Sequence, residues 1–406
     1  MRRPLLAMTM TVLACAGRHS GQSNIGPAAA DAGVATTGDA GTAVSAGLTL
    51  PAGFSAEVIA TIPVARQMAA LPNGDLLVAT LDTKVLLIAN AEGTPSPPAV
   101  YFDIPDAPVQ SVAFDPATST LFVASQHGVW SAPYAAGHPP AQPKKIASVR
   151  TAGDSGTDGD VHITTSVAVS GSTLYVGVGS SCNSCVESDP TRAVILTMNF
   201  DGSNVVRKAT RIRNAIALAT NPATGTVWAG GAGQDSLPLG HPFEFFDAVS
   251  LHPGTADYGW PQCEENQHPY AANADCSQTV TPLLGLPAYS TWIGAVFYPA
   301  NQTGAHAFPP ANRGFYLAAH GSWHTMNDKY FSPPRVAFVA MNGDVPAHPA
   351  NWSDANAQFS EFIGGYQLAD GVTRTGRPTG LAVGAQGSLF VADDMNGKIY
   401  RVRPTP

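Results

Sequence analysis

One strand–turn–strand unit recurs along this chain and limits the folds it can adopt. Each copy consists of an apolar strand, a turn rich in Gly, Asn or Asp, and a second apolar strand, as in ATRIRNAIALATNPATGTVWAGGAGQD over 209–235. The copies are spaced by about 45–85 residues, a period typical of propeller blades. They begin at Ala65, Val109, Val161, Ala209, Thr291 and Arg377. The repeat therefore predicts an all-β fold, a six-bladed β-propeller.

A strand with no partner in the repeat lies ahead of the first copy, over 53–62. The last copy continues into further strand sequence, GKIYRVR over 397–403. A ring of blades must close to remove its sheet edges. We therefore expect the N-terminal strand to pair with the C-terminal blade. With 44% hydrophobic and 12% charged residues, residues 48–406 fit one large catalytic or binding domain.

The N-terminus reads as an export signal. Residues 1–20 carry two arginines, a short apolar run and small residues, which is typical of a secretory or lipoprotein signal. Cys15 follows Val-Leu-Ala and is a candidate lipidation site, with simple cleavage nearby as the alternative. Residues 21–47 are rich in Ala, Gly and Ser and predict a linker. We expect a periplasmic protein or an outer-membrane-anchored lipoprotein, tethered through that N-terminus.

Four further cysteines form two local pairs, Cys182 with Cys185 and Cys263 with Cys276. In an exported chain such pairs predict structural disulfides. A zinc site or a redox-active CxxC motif is the alternative, although four converging zinc ligands are not visible in the sequence. The disulfides would fix loops above the channel.

The first strand of each propeller blade lines the central channel, so the residues that begin it lie near the channel mouth. This ring is cationic and rich in amides, and its one imidazole, His162, suits a general base if it is neutral. Asp160 can orient it. Three arginines without acidic partners call for a bound anion with several carboxylates or phosphates. The residues are Arg66 or Gln67, Gln110, His162, Arg213 with Asn214, Trp292 and Arg377.

Two insertions carry aromatic residues that can wall a ligand site above the same rim. DYGWPQC contains Tyr258 and Trp260, and HGSWH over 320–324 contains Trp323, with Lys329 beyond it. A lone Trp packs in a core more often than it contacts a ligand. The net charge of −8 argues against a nucleic-acid partner. A small-molecule site is the prediction that remains.

Several segments together resemble the PQQ-dependent sugar dehydrogenase family, in particular its sorbosone dehydrogenase-like branch of soluble propellers. The resemblance extends from about residue 48 to the end. It rests on LPAGF, VHITTSVAVSGSTLYVGVGSSCNSC, RIRNAIALATNPATG, DYGWPQC, HGSW, GRPTGLAV and DDMNGKIYRV, which lie in this order along the chain.

The resemblance implies a quinoprotein that oxidises an aldose, a sorbosone-like sugar or a related polyol, with pyrroloquinoline quinone (PQQ) and Ca²⁺ as cofactors. It implies that His162 takes the substrate proton while hydride passes to the quinone. It implies metal binding by backbone carbonyls near Gly233 and Gln234. Electrons would leave to an external acceptor, a quinone or a cytochrome. The residues it assigns to cofactor binding are Gln110, Arg213, Asn214, Arg377, Arg66 and Lys329.

Two other functions remain open on the sequence. One is a calcium-dependent lactonase or esterase on the same kind of propeller, which would hold its metal with Glu, Asn and Asp side chains in the channel. The arginines at the channel mouth would repel that ion. The other is a non-catalytic secreted propeller that acts as a binding module.

Overall fold

The computed structural model describes residues 42–151 and 162–405 of this chain. They belong to a compact unit that extends from Ala40 to Pro406. Six sheets dominate it, five with four strands and one with five. Their innermost strands contact one another in a ring, and the first four strands of each sheet pair antiparallel from the inside outwards. The prediction of a six-bladed β-propeller is confirmed.

The strands of each blade follow the repeat, with the innermost given first. Blade 1 comprises Ala65–Ala70, Leu76–Thr80, Lys84–Ile88 and Ala99–Asp103; blade 2 comprises Val109–Asp115, Thr120–Ser125, Gly128–Pro133 and Lys144–Ser148. Blade 3 comprises Thr165–Ser170, Thr173–Val178, Val194–Asn199 and Val206–Thr210, with a fifth, parallel strand Ala256–Asp257; blade 4 comprises Ala217–Thr220, Val227–Gly230, Glu244–Asp247 and Leu284–Leu286. Blade 5 comprises Trp292–Phe297, Phe315–Ala319, Arg335–Val339 and Ser360–Ile363; blade 6 comprises Pro378–Val383, Leu389–Asp393, Lys398–Pro404 and Phe54–Thr61.

Short elements decorate the blades. Four two-stranded hairpins pair Thr42–Ser45 with Leu48–Pro51, Cys263–Glu264 with His268–Pro269, Thr325–Met326 with Lys329–Tyr330, and Met341–Asn342 with Val345–Pro346. Two 3₁₀ turns cover Val249–Leu251 and Pro310–Asn312. Within the described ranges no helix is long and apolar enough to cross a membrane.

The ring closes through its ends, as the sequence predicts. The N-terminal strand Phe54–Thr61 pairs antiparallel with Lys398–Pro404 and becomes the outer strand of blade 6. The guanidinium of Arg401 lies 2.7 Å from a carboxylate oxygen of Glu57 across this pair. Thr42–Ser45, within the predicted linker, pairs antiparallel with Leu48–Pro51 as a hairpin.

The core lies between neighbouring blades, where apolar faces of adjacent sheets meet. Trp228, Trp292 and Phe315 are fully buried together between blades 4 and 5. The inner strands approach so closely that a Cβ at Gly294 would lie 1.8 Å from the carbonyl oxygen of Thr379. Only glycine allows this approach, which narrows the ring at the contact between blades 5 and 6.

Candidate functional site

Two adjoining cavities open at the end of the channel where the inner strands begin. Their volumes are about 180 Å³ and about 170 Å³, and His162, Asn214 and Thr291 line both. The first also contains Arg66, Gln67, Gln110 and His320, and the second contains Arg213, Gly233, Gln234, Asp235, Glu244, Trp323 and His324. The two cavities together are called the mouth site below.

A larger cavity of about 510 Å³ occupies the opposite end of the channel. Its wall consists of residues such as Leu71, Val169 and Phe297, with Thr220 and Gln302 as its polar side chains. Among the described residues no titratable side chain lines it. Since acid–base chemistry needs titratable groups, the mouth site is the candidate functional site.

Register irregularities point two glutamine side chains across the channel mouth. The pairing of blade 1 shifts between Ala65 and Met68, and the pairing of blade 2 shifts between Val109 and Ser111. Such bulges redirect side chains at the end of a strand. Gln67 donates a hydrogen bond to the carbonyl of Ile293, and Gln110 donates one to the carbonyl of Ile163. Gln110 thus ties blade 2 to the residues that precede blade 3, and Gln67 ties blade 1 to blade 5 across the channel mouth.

His162 is a neutral imidazole whose Nδ1 is hydrogen-bonded to Ser180. Its Nδ1 lies 2.9 Å from both the carbonyl oxygen and the Oγ of Ser180. The Ser180 hydroxyl donates to the carbonyl of Cys182 at 2.7 Å, so both Ser180 oxygens accept from His162 and the proton resides on Nδ1. Burial and the neighbouring Arg213 lower the pKa of His162 to about 3. Nε2, without a partner among the described residues, is left as the basic atom.

Gly179 brings His162 and Asn214 side by side. A Cβ there would lie 2.6 Å from the Cβ of His162 and 2.7 Å from the Oδ1 of Asn214. Asn214 is buried, and within the described chain its Oδ1 has no hydrogen-bond partner. A buried, unsatisfied amide oxygen is costly. It marks a position where a ligand atom can bind.

Arg213 lies in a network centred on Asn183. Its Nε and Nη2 donate to the carbonyl and the Oδ1 of Asn183 at 3.1 and 2.9 Å, and Nη2 also lies 3.2 Å from Asp235. Asp235 and Asn183 exchange two further hydrogen bonds of 2.7 and 3.0 Å. Only 6% of the Arg213 side chain is exposed, so its guanidinium is oriented before any ligand binds.

Arg66 and Arg377 share a second network on the opposite side of the mouth. Asp394 lies 3.2 Å from the Nη1 of Arg66 and 2.8 Å from the Nε2 of His320. Arg377 donates from Nε to the carbonyl of His320 at 2.9 Å and from Nη2 to that of Gly321 at 3.0 Å. Burial lowers the pKa of His320 to about 4, so this imidazole is also neutral.

The expectation that the three arginines lack acidic partners is wrong. Asp394 pairs with Arg66, and Asp235 pairs with Arg213. The reason is geometric, because Asp235 lies 22 residues after Arg213 in the same blade, and closure of the ring brings Asp394 of blade 6 to Arg66 of blade 1. Three guanidinium groups against two carboxylates still leave a positive balance. Of the three, Arg377 lines neither cavity of the mouth site.

Two buried glutamates lie beside the segment predicted to bind metal. Glu244 lines the mouth site together with Gly233 and Gln234, and it accepts a hydrogen bond from the backbone N–H of Thr291 at 2.8 Å. Glu264 lines a small void next to Gly233. Burial raises the pKa of Glu244 well above its ordinary value and that of Glu264 to about 8.

Both predicted disulfides are present. Cys182 bonds to Cys185, and Cys263 bonds to Cys276. The loop closed by the Cys182–Cys185 disulfide contains Asn183 and so stabilises its contact with Arg213. Among the described residues the two sulfur atoms of this disulfide and Glu187 also lie close enough together to be candidate metal ligands. Glu187, however, accepts from the backbone N–H and Oγ of Ser181 at 2.6 and 2.7 Å.

The predicted aromatic residues differ in their surroundings. Trp292 was expected at the rim but is fully buried, because it packs in the core with Phe359 after the inner strand of blade 5 shifts register. Tyr258 and Trp260 are buried too and line a small void behind Arg213 rather than the mouth site. Trp323 is 67% exposed and lines the mouth site.

Other predicted residues lie elsewhere. Lys329 is exposed on the 325–330 hairpin and does not line the mouth site. Asp160, Cys15 and the predicted signal and linker up to residue 41 lie outside the described residues. Their roles stay predictions.

Sequence reasoning missed the residues that hold the predicted ones in place. Two have a visible signal, since Asp235 follows the Gly-rich run and His324 ends HGSWH. His324 lies 3.0 Å from Asp235. Arg192 gives no signal, yet it donates to the carbonyls of Gly179 and Ser180, both at 2.8 Å.

Residues 254–405 match a protein family described as TrAA12-like. An uncharacterized protein of Borreliella burgdorferi is 25% identical over 235 residues, and the match spans 56% of this chain and 56% of that relative's length. The whole relative is therefore much longer than the matched part.

Solved structures of sugar dehydrogenases share the fold. The holo PQQ domain of pyranose dehydrogenase from Coprinopsis cinerea is 18% identical with a TM-score of 0.70, and the match covers 88% of this chain and 97% of that one. A calcium structure of a family AA12 enzyme from Trichoderma reesei is 17% identical with a TM-score of 0.70, covering 88% and 96%. The PQQ-bound aldose sugar dehydrogenase of Streptomyces coelicolor is 17% identical with a TM-score of 0.58, covering 87% and 99%. At these identities the similarity establishes the propeller fold.

Proposed function

We propose that this protein is a PQQ- and calcium-dependent dehydrogenase that oxidises a hydroxyl group of an aldose, a sorbosone-like sugar or a related polyol. The observation that carries the proposal is the neutral His162, which has Nδ1 bonded to Ser180 and Nε2 without a partner in the mouth site. The propeller it shares with PQQ-bound sugar dehydrogenases supports this reading.

The residues of the mouth site fit a planar tricarboxylate. Arg66 uses only Nη1 for Asp394, so its Nε and Nη2 keep free N–H groups within the described structure. Arg213 is oriented by Asn183, and the Oδ1 of Asn214 has no partner. Guanidinium groups bind carboxylates with paired N–H bonds. The positive balance of the mouth favours an anion.

Calcium fits the same cavity. The backbone carbonyls of Gly233 and Gln234 and the amide oxygen of Asn214 are neutral oxygen donors on one wall. Ca²⁺ prefers six to eight oxygen ligands, and a bound anion supplies the remaining ones. The buried Glu244 and Glu264 lie beside the 233–234 segment. The ion would act as a Lewis acid next to the quinone.

The reaction uses His162 as the base. When bound, PQQ supplies an electrophilic carbonyl carbon that accepts a hydride. Nε2 of His162 removes the proton of the substrate hydroxyl, which raises the electron density on the carbon that gives up the hydride. The imidazolium that forms is stabilised through its Nδ1–H bond to Ser180. Carboxylates bound beside Arg213 would offset the charge that depresses the pKa of His162.

The proposed roles of the other residues follow from their positions. Gln110 shapes the rim beside the base. Arg377 lies behind His320, in the network that orients Arg66. Lys329 would have to reach the cofactor from its hairpin. An export signal, a periplasmic or lipid-anchored location and an external electron acceptor belong to the same proposal, and the two disulfides support an oxidising compartment.

The substitution His162→Asn tests the base. It keeps a donor for Ser180 but has no basic nitrogen. We expect turnover with sugars to fall by about 10²–10⁴-fold, the usual contribution of a general base, while PQQ binding measured by absorbance stays within about twofold. His268→Asn, at an exposed position that does not line the mouth site, is the matched control. Undiminished turnover in His162→Asn would remove His162 from the mechanism.

A further inference from the structure

A further cavity, of about 230 Å³, lies on the outside of blade 3, away from the channel. It is called the outer groove here. Apolar side chains dominate its wall, and Val186 at its edge is 76% exposed. The apolar wall consists of Val186, Pro190, Val194, Trp260 and Pro261. A site of this size is smaller than one for a drug-sized ligand, so it suits a compound of one or two rings.

Positive side chains outnumber negative ones in the outer groove, where Arg192, Arg207 and Arg211 stand against Glu187 and Asp189. Asp189 is paired with Arg150 at 2.9 Å, and Glu187 accepts a hydrogen bond from the Oγ of Ser181 at 2.7 Å. Arg207 lines the groove, is exposed and makes no hydrogen bond or ion pair from its guanidinium within the described structure. A ligand with electron-rich oxygen atoms is therefore favoured over a cation.

The outer groove and the mouth site share a wall. Arg211 and Trp260 line the outer groove and also the small void behind Arg213. The indole N–H of Trp260 donates to the carbonyl of Asn183 at 3.1 Å, the same carbonyl that accepts from Nε of Arg213 at 3.1 Å. One aromatic side chain and one peptide group thus separate the groove from the arginine of the mouth site.

We infer that the outer groove binds the electron acceptor, a small quinone, as a site separate from the one for sugar. This inference rests on the proposed dehydrogenase function. Oxidation of a hydroxyl to a carbonyl releases two electrons and two protons, and one quinone that takes up both becomes a hydroquinone, which balances the reaction. A planar ring packs against Val186, Pro190 and Pro261, the accessible apolar side chains of the groove, and Arg207 donates to a quinone oxygen.

Separate sites have a functional consequence. Sugar and acceptor do not compete for one cavity, so an acceptor can be bound while sugar occupies the mouth site. The short path through Trp260 then carries electrons outward. The acceptor's apparent affinity is set by residues that do not touch the sugar.

The test uses duroquinone, a fully substituted benzoquinone, with the cofactor-free protein. Ligand-observed saturation-transfer NMR measures binding directly. We expect saturable binding to wild type and a loss of about tenfold or more in affinity in Val186→Trp, because the new ring fills the groove. Val345→Trp is the matched control, since Val345 is 56% exposed on a hairpin that does not line the groove. Arg207→Ala, a second variant, is expected to weaken binding less.

The same variants are then assayed with cofactor present. Val186→Trp is expected to raise the KM for duroquinone about tenfold and to leave the KM for sugar unchanged. Equal binding in wild type and Val186→Trp, or no saturable binding, overturns the inference. So does a defect of Val186→Trp confined to reduction of cytochrome c, which assigns the groove to a protein acceptor. If the protein binds duroquinone but oxidises no sugar, the acceptor role is wrong because the proposed function is wrong. The titration of cofactor-free protein distinguishes that outcome from a groove that does not bind quinone.

Discussion

The neutral state of His162 makes the stability of the protein depend on pH. The unfolded chain binds a proton at this side chain near the ordinary pKa of 6.5, whereas the folded protein binds it only near pH 3. Between these values the unfolded state holds more protons, so the free energy of unfolding falls as pH falls. From pH 8 to pH 5, His162 alone lowers it by about 2 kcal/mol, at 1.36 kcal/mol for each pKa unit.

The substitution His162→Asn isolates this contribution. It removes the titrating ring, while His320, with its pKa lowered to about 4, keeps its own pH dependence in both proteins. Urea unfolding of the cofactor-free protein with intact disulfides, at pH 8, 7, 6 and 5, gives the free energies. We expect wild type to lose about 2 kcal/mol more than His162→Asn over this range.

The control is His268→Asn, at an exposed position on the 263–269 hairpin. It tests the loss of a histidine outside the mouth site. Parallel pH profiles for wild type and His162→Asn would refute the reasoning. They would mean that the ring takes up a proton as easily in the folded protein as in the unfolded chain, and so is not held as a buried neutral base.

Two further substitutions test the geometry of the mouth site. In Gly179→Val the new Cβ would lie 2.6 Å from the Cβ of His162 and 2.7 Å from the Oδ1 of Asn214. We therefore expect PQQ binding, titrated by absorbance, to weaken about tenfold or more. Wild-type affinity would show that the site can accommodate the larger side chain. Asn183→Ala removes three side-chain hydrogen bonds, including the one that orients Arg213. At about 1 kcal/mol for each bond, we expect the free energy of unfolding in urea to fall by about 2–3 kcal/mol. An unchanged free energy of unfolding would show that Asn183 does not stabilise this network.

The blade architecture could be predicted because its signals are local. A strand, a turn and a strand are encoded within some twenty residues, and six such units leave few arrangements that cover every sheet edge. The unpaired strand over 53–62 indicated the closure for the same reason. The short strand Thr42–Ser45 was not predicted, since the Ala- and Gly-rich composition of 21–47 gives no strand signal.

The site was predictable in its central residues and not in their partners. His162, Arg213 and Asn214 precede inner strands, so the repeat locates them near the channel mouth. Asp394 lies at the other end of the propeller chain from Arg66, and only the closed ring brings these two residues together. Asp235 lies 22 residues after Arg213 in the same blade, and its position after the Gly-rich run is a local signal that was missed.

Trp292 shows a different limit. It occupies the same position in its repeat as the polar residues of other blades, yet it is buried against Phe359. The shift in pairing between Trp292 and Gly294 changes the environment of the side chain. A one-residue change of register moves a side chain to the other face of a strand, and the sequence alone does not reveal where such a shift occurs.

The most direct test of the central claim is a titration of the metal-stripped protein with PQQ, with and without Ca²⁺, followed by absorbance and by melting temperature. A ligand that binds only the folded state raises the melting temperature by mass action. The account predicts saturable, calcium-dependent binding with a clear rise in Tm, and weaker binding in Arg213→Ala, whose guanidinium is oriented towards the ligand by Asn183. Absence of binding under both conditions would contradict it and would direct attention to lactone hydrolysis and to binding partners.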